Sequence, residues 1–375
     1  MKKIGHNKIF VTLFPRCKNI ELLKDVGMIP YYMGRCYGYE SYVACYGHDE
    51  YTYIDKEVEG LKIVRIPQKY DSVVKDGCEY LIKNAKYIDV LNVYHLIYSE
   101  SLQWVRLYKK INPEGKVYLK LDLDYIGLNK HKQDNMILRL LKKRILRKCD
   151  LISVESVSIC DSLKQLYGIN IKHMPNGIYR VDNKLQCDDS NIHKKQNVFL
   201  TVGRLGTKQK ATEILLEAFA LSAEKHDWRL RLAGSIDENF SLMRDDFEKK
   251  YANIINRVEF VGEIIDREKL QKEYEMAKVF VLPSRWESYG IVLAEAQCSG
   301  CYIITTEAVP PAKEMTCNGR YGSIVKTDDV EELAEKMVEL ANGNYSTELE
   351  KEIRVFANER YNWKHICMKI EEALR

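Results

Sequence analysis

Apolar residues in this chain fall into short, nearly unbroken runs separated by amphipathic tracts. Ile9-Phe10-Val11-Thr12-Leu13-Phe14 is a β-rich run, and a loop and a helical stretch follow it. The first half repeats that rhythm, with candidate strands at Tyr42–Cys45, Lys62–Ile66, Val90–Tyr94, Val117–Asp122 and Leu151–Val154. These segments are β-branched or aromatic with little alternation, the pattern of strands covered on both faces. Residues 183–197 are polar with almost no core formers and read as an interdomain linker. Beyond them the rhythm restarts: strand Asn197–Val202, helix Thr212–Leu221, strands Arg229–Ala233 and Arg257–Phe260, helix Arg267–Met276 and strand Val279–Leu282. A helix over 290–299, a strand over Tyr302–Thr305 and a helix over 329–342 follow. Strand-helix alternation on both sides of one linker predicts an α/β chain of two doubly wound domains. Ligands of such sheets sit at the carboxyl ends of strands, so a cleft between the domains is the expected site.

Composition narrows the class. A length of 375 residues suits two domains at about 150 residues each. With 46% apolar and 30% charged residues, the chain is an ordinary globular protein, which excludes disorder, collagen-like repeats and coiled coil. The net charge of +4 is too balanced for a dedicated nucleic-acid binder. It is unevenly spread, about +10 over residues 1–200 and about −6 over 201–375, which suits a first half facing something anionic. Eleven cysteines without CxxC spacing read as reduced, mostly buried thiols of a cytoplasmic protein. Cys36, Cys45, Cys149 and Cys160 lack histidines at ligand spacing, so no zinc site is expected. The apolar run after Lys2 and Lys3 is too short for a secretion signal, and no stretch approaches the roughly 20 apolar residues of a membrane span.

Two segments carry the chemistry. In Phe280 to Ala296 an apolar strand ends at Pro283, a polar turn follows, and a helix begins near Tyr289-Gly290. The free N–H groups and positive dipole end of such a helix suit a diphosphate. Glu287 and Glu295 flank the turn. Eight positions on a helix leave them off register, so Glu287 belongs to the turn and Glu295 to the helix, facing different parts of one ligand. A glycosidase acid/base pair, with both carboxyls at one bond, is therefore not the reading. Capping acids at an ordinary helix start are the alternative. The second segment, Thr201-Val202-Gly203-Arg204-Leu205-Gly206-Thr207-Lys208-Gln209-Lys210, runs from strand to helix through two glycines and three cations. Glycines let backbone approach a phosphate that Arg204 and Lys210 can neutralise. Either segment alone is unspecific, but both fall at strand ends of one predicted sheet.

Together these segments resemble the retaining glycosyltransferases with two Rossmann-like domains, the GT-B fold, of the group-1 or family-4 type. Glu287 to Glu295 resembles that family's E-x7-E signature, and Gly203-Arg204 to Lys210 its donor-phosphate loop. Pro175-Asn176-Gly177, Phe260-Val261-Gly262-Glu263 and the Trp363 region are further local matches. The likeness is strong over about 198–330 and thin over 1–150. It implies an acceptor-binding domain over 1–185, with a C-terminal helix at about 355–375 packing back on it, and a donor-binding domain over 198–354. Arg204 and Lys210 would bind the donor diphosphate, and Glu287 the donor sugar. Gly203 and the N–H groups of Ser288, Tyr289, Gly290 and Ile291 would cradle phosphate, while Glu295 would hold the ribose. Five residues separate Arg204 from Lys210 where many relatives have four, leaving Lys208 as the rival cation. In the first domain Gly27 is the candidate for a loop glycine facing the donor phosphates, with a plain helix-start glycine as the alternative.

Three features remain. His95 ends the run Val90–Tyr94 at a strand's carboxyl end, as a site residue or a structural histidine. Asp122 and Asp124 look like a metal-binding DxD of a different glycosyltransferase fold. Many relatives place a histidine near Asp122, so no metal is assigned, and the pair is expected to close a strand pointing the same way, toward sugar hydroxyls. Met136 to Lys148 carries six cations and no acid. Its apolar positions 137, 138, 141 and 145 fit one helix face, either a domain helix with a solvated face or a contact with an anionic membrane surface. The expected function is a retaining, metal-independent transfer from a nucleotide-sugar, a UDP-sugar, to a hydroxyl of a lipid-linked glycan in cell-surface polysaccharide assembly. The expected location is the cytoplasm or the inner face of the membrane, with no nucleic-acid partner. A sugar-nucleotide epimerase, a glycoside phosphorylase and a non-catalytic glycan- or membrane-binding relative are the alternatives.

Overall fold

The computed structural model describes residues 7–180, 195–238, 240–343 and 345–375. It divides into two compact units, one of residues up to Tyr179 together with Tyr361–Arg375, the other of Arg180–Arg360.

The first unit is built on a seven-stranded sheet: β1 (Ile9–Leu13), β2 (Glu40–Cys45), β3 (Lys62–Arg65), β4 (Val90–Tyr94), β5 (Lys116–Leu121), β6 (Leu151–Val154) and β7 (Lys172–His173). Their order is β3-β2-β1-β4-β5-β6-β7 and all pairings are parallel. Central β1 and β4 are buried at every position, which explains their unbroken apolar runs. Phe10 registers with Ser41 on one side and Val90 on the other. Residues such as Val11, Leu91, Leu119, Trp104 and Tyr108 form its main core.

The second unit holds six parallel strands: β8 (Gln196–Val202), β9 (Arg229–Ala233), β10 (Val258–Gly262), β11 (Ala277–Leu282), β12 (Tyr302–Thr306) and β13 (Gly322–Val325), in the order β10-β9-β8-β11-β12-β13. In each sheet the first strand of the unit lies beside the fourth, the doubly wound arrangement, and the crossing of strand order there opens a crevice at the carboxyl ends. Phe199, Leu230, Val279, Val281 and Ile304 centre the second core.

The predicted strands and helices lie within one or two residues of the observed ones. β7 and β13 were not anticipated, being two and four residues long. The linker reading at 183–197 lies outside the described residues up to 194, and Gln196 and Asn197 already belong to β8. The single helix expected over 355–375 is two helices, Thr347–Arg360 and Trp363–Leu374. Asn362 interrupts them, its side chain accepting from the Lys364 N–H at 2.9 Å as a cap of the second. That second helix packs within the first unit. The Tyr39 hydroxyl donates to Glu371 at 2.9 Å, and a Cβ on Gly177 would lie 2.4 Å from the Trp363 ring.

The helix Met136–Leu146 corrects the face read from sequence. Ile145 is buried, but Ile137 and Leu141 face solvent and Leu138 is half-buried. Lys142 turns inward instead, paired with Asp134 and 3.0 Å from His131. A buried lysine needs such a partner, and Asp134 lies outside the helical pattern. Among the described residues no helix is long and apolar enough to cross a membrane, and the ten described cysteines form no disulfide.

Candidate functional site

The crevice of the second sheet lies beyond the paired strands β8 and β11. The loop leaving β8 is Gly203–Ala211, and the loop leaving β11 is Pro283–Gly290. The topology alone therefore brings the two sequence motifs together, although some 80 residues separate them.

Four contacts lace the two loops. Lys210 Nζ pairs with Glu287 Oε1. The Arg285 backbone N–H donates to Gln209 O at 2.9 Å, and the Gln209 side chain donates to Trp286 O at 3.0 Å. Arg285 Nη1 reaches Lys208 O at 2.8 Å, while its other nitrogens hold Glu213 at 2.5 Å and Asp328 at 2.6 Å. Ser284 Oγ donates to Glu287 Oε1 at 2.8 Å. Glu287 is a buried carboxylate with its charge matched by Lys210 and its orientation fixed by Ser284. Lys210 takes the place at Glu287, whereas Lys208 is exposed. The loop before Lys210 closes in the turn Thr207–Lys210, where the Lys210 N–H donates to Thr207 O at 3.1 Å.

Gly203 leaves room for this pair: a Cβ there would sit 3.3 Å from the Lys210 stem. Gly234, at the end of β9, is needed more strictly, since its Cβ would lie 1.8 Å from Gly203 O at a φ of +141°. Arg204 is exposed, its guanidinium donating to Gln209 Oε1 at 2.8 Å. Glu287 lies in the turn, followed by half-buried Ser288 and buried Tyr289. Gly290 then caps the helix Ile291–Cys298 with φ +77°. The N–H groups of Ile291 and Val292 open that helix at its positive end, while the Leu293 N–H donates to Gly290 O at 2.9 Å. Glu295 sits one turn into the helix, with Oε1 accepting from Arg267 at 2.6 Å and Oε2 from the Tyr274 hydroxyl at 2.9 Å. Burial and the Glu295 charge push the Tyr274 hydroxyl well up, so it remains a donor. The site is thus two cations, a buried carboxylate, a helix start and a second, oriented carboxylate. That set can neutralise a diphosphate and accept hydroxyls on either side of it. Sequence reasoning missed Gln209, Ser284, Arg285, Arg267 and Tyr274. Ser284, Arg285 and Gln209 lie inside the two segments singled out in sequence, whereas Arg267 and Tyr274 lie outside both.

The first-unit candidates fare differently. Gly27 is not in the loop after β1 but in the first turn of the helix Asp25–Tyr37, buried. Its Cβ would lie 2.3 Å from Leu22 O, so close backbone packing requires the glycine. His95 follows β4 with φ +64°; its N–H donates to Lys120 O at 3.0 Å and its carbonyl accepts from Ser101 Oγ at 2.5 Å. Its ring is half-buried against Phe14 and Tyr94. β5 ends at Leu121, so Asp122 and Asp124 do not close a strand together. Asp122 is exposed, while Asp124 caps the helix Tyr125–Lys132 by accepting from the Gly127 N–H at 2.6 Å. The buried polar group at this end of the sheet was not anticipated. Lys120 lies 3.0 Å from Asp25 and 2.5 Å from Glu155, and Asn176 donates to Glu155 at 2.6 Å.

The architecture defines a two-unit α/β protein of the GT-B fold. Comparison with known proteins agrees. Residues 182–360 match the family model of the glycosyl transferases group 1, and over this stretch the chain is similar to that family. An uncharacterized glycosyltransferase of Methanocaldococcus jannaschii is 34% identical over 31% of this chain and 28% of its own length. The GDP-mannose:cellobiosyl-diphosphopolyprenol alpha-mannosyltransferase of Xanthomonas oryzae pv. oryzae is 29% identical over 40% of each. The chain thus aligns with less than half the length of these two relatives. Among solved structures, Anabaena HepE in complex with UDP superposes over 98% of this chain and 99% of its own, with a TM-score of 0.72 and 15% identity, a likeness of fold.

Proposed function

We propose that this protein is a glycosyltransferase that moves a sugar from a nucleotide-sugar, a UDP-sugar, to a hydroxyl of a lipid-linked glycan. The setting is cell-surface polysaccharide assembly at the inner face of the membrane. The observation that carries this reading is the Lys210–Glu287 pair, knitted by Gln209 and Arg285 at the crevice of the second sheet. The reading of the base draws on the UDP in the complex of the fold neighbour, and that of the acceptor on the diphosphopolyprenol in the relative's name.

In this reading Lys210, Arg204 and the start of the helix Ile291–Cys298 meet the charge that grows on the departing diphosphate, which is electrostatic preorganisation without a metal. Glu287 holds the donor sugar's hydroxyls, and Glu295, aimed by Arg267 and Tyr274, holds the ribose. The bond from the anomeric carbon to the phosphate oxygen breaks as the acceptor oxygen attacks from the same face. The acceptor's proton passes to the departing phosphate oxygen, so configuration is retained.

The test is sugar transfer from UDP-sugars to a polyprenyl-diphosphate acceptor in EDTA. Product and free UDP are expected only when acceptor is present. Glu287→Gln is expected to lower kcat at least about 100-fold while nucleotide affinity stays within about twofold. Donor conversion without acceptor would replace this reading by an epimerase. Covalently trapped sugar on Glu287 would overturn the same-face mechanism.

A further inference from the structure

The helix Met136–Leu146 presents its apolar residues outward. Met136 is 74% exposed, Ile137 70%, Leu140 59% and Leu141 40%. Four large side chains on two adjacent turns form a patch rather than scattered singles. Their orientation is built in: Lys142 is turned into the unit and held by Asp134, and Ile145 and Leu146 are buried, so the helix cannot roll to hide them. Further along the same stripe, at i+4 from Leu140, stands Arg144, and Lys148 follows two residues after the helix ends at Leu146.

A second observation adjoins the first. The helix Ser101–Ile111 brings Arg106, Lys109 and Lys110 opposite Arg144 and Lys148, and with Tyr98, Leu141 and Ile145 they line a cavity of about 420 Å³. Lys109 is neutralised by Asp150 at 2.8 Å. The other four cations have no carboxylate partner among the described residues. Unpaired like charges around one cavity repel one another, and an anion relieves that repulsion. Leu141 belongs to both features, so the apolar patch and the basic cavity form one surface.

We infer that this surface docks on an anionic lipid bilayer. A lipid phosphate enters the cavity between Arg106, Lys110, Arg144 and Lys148, while Met136, Ile137 and Leu140 sink among the acyl chains. Charge complementarity selects this occupant: a soluble anion would use the cavity and leave the apolar patch in water, and a protein partner would not need the unpaired cations. An interfacial helix with apolar residues beside cations is the form that binds such surfaces. The inference gives the proposed lipid-linked acceptor a place to be met and rests on that reading for its purpose, but its test does not depend on catalysis.

The experiment is flotation of the full chain with vesicles of phosphatidylcholine alone or of equal parts phosphatidylcholine and phosphatidylglycerol, without donor, with UDP binding measured on the same samples. Wild type is expected to float with the anionic vesicles only and to be released by high salt. Arg144→Gln with Lys148→Gln is expected to weaken partitioning about 30-fold. Ile137→Ser with Leu140→Ser is expected to weaken it about tenfold or more. Both variants should keep the wild-type melting temperature and UDP affinity, since these side chains are exposed. Wild type remaining in solution with both vesicles, or both variants floating like wild type, would overturn the inference. So would capture of inorganic phosphate without vesicle binding. Vesicle binding without UDP binding would instead leave the docking surface standing and count against the transferase reading.

Discussion

Lys120 carries one positive charge into an interior that holds two carboxylates, Asp25 and Glu155. Charge cannot balance there with both ionised, and burial, followed by the neighbouring acids, pushes the Glu155 carboxyl up to about 8 despite Lys120. Its ordinary value is 4.5, so between the two the folded state holds a proton that the unfolded chain has released. The associated stability is present below the unfolded value and lost as pH rises through the folded one. The urea midpoint is therefore expected to fall between about pH 5 and about pH 8 and to level off above that, and Glu155→Gln, which keeps the shape without the charge, to flatten that fall. Equal slopes in wild type and variant would contradict the assignment. Little of this cluster was legible in sequence. Asp25, Lys120, Glu155 and Asn176 stand far apart in the chain, and the single sign was a lysine within an apolar strand. Lys210 and Glu287 were legible because each lies in a short segment whose strand-loop-helix pattern is local. Gln209, which bonds Arg204 and Trp286, and Tyr274, which bonds Glu295, were not, because a glutamine in a loop or a tyrosine in a helix acquires meaning only from what the fold sets beside it.

At the scale of elements, two glycines of the helix Asp25–Tyr37 and its cap separate steric from conformational need. Gly27 has ordinary helical backbone but no room, with Leu22 O 2.3 Å from a would-be Cβ. Gly38, the helix's C-cap, has open space but φ +72°. Gly27→Ala should cost about 3 kcal/mol, an overpacking effect that moves backbone. Gly38→Ala should cost about 1 kcal/mol, the strain of a left-handed residue with a side chain. Chemical denaturation of both variants checks the ranking, and a costlier Gly38→Ala would contradict the packing of the first turn on Leu22. Parallel strands buried on both faces announce themselves as apolar runs, so β1, β4 and β11 were readable almost to the residue. The face of Met136–Leu146 was not, because apolar periodicity alone assigns Leu141 inward. Asp134, two residues before that helix, reverses the choice by making Lys142 the buried residue. The predicted C-terminal helix likewise splits at Tyr361-Asn362, where a capping asparagine outweighs continuous helical periodicity.

For the molecule as a whole, two sheets with the same winding pose the same question of where a ligand enters, and strand order answers it for each. In the second sheet the answer coincides with the residues that carry the chemistry, the loops beyond β8 and β11. In the first the carboxyl ends hold the packed Gly27 turn, the strained His95 and the Lys120 cluster, a more irregular set that matches its thin family likeness. The central claim is that the crevice of the second sheet takes the diphosphate of a nucleotide through Arg204 and Lys210. Calorimetric titration with UDP, GDP, ADP and dTDP in EDTA tests it most directly, on wild type and on Arg204→Ala with Lys210→Ala. UDP is expected to bind wild type, and loss of two charge-assisted contacts to weaken it by about 3 kcal/mol or more, over 100-fold. Binding of none of the four nucleotides, or equal UDP affinity in wild type and the double variant, would contradict the account.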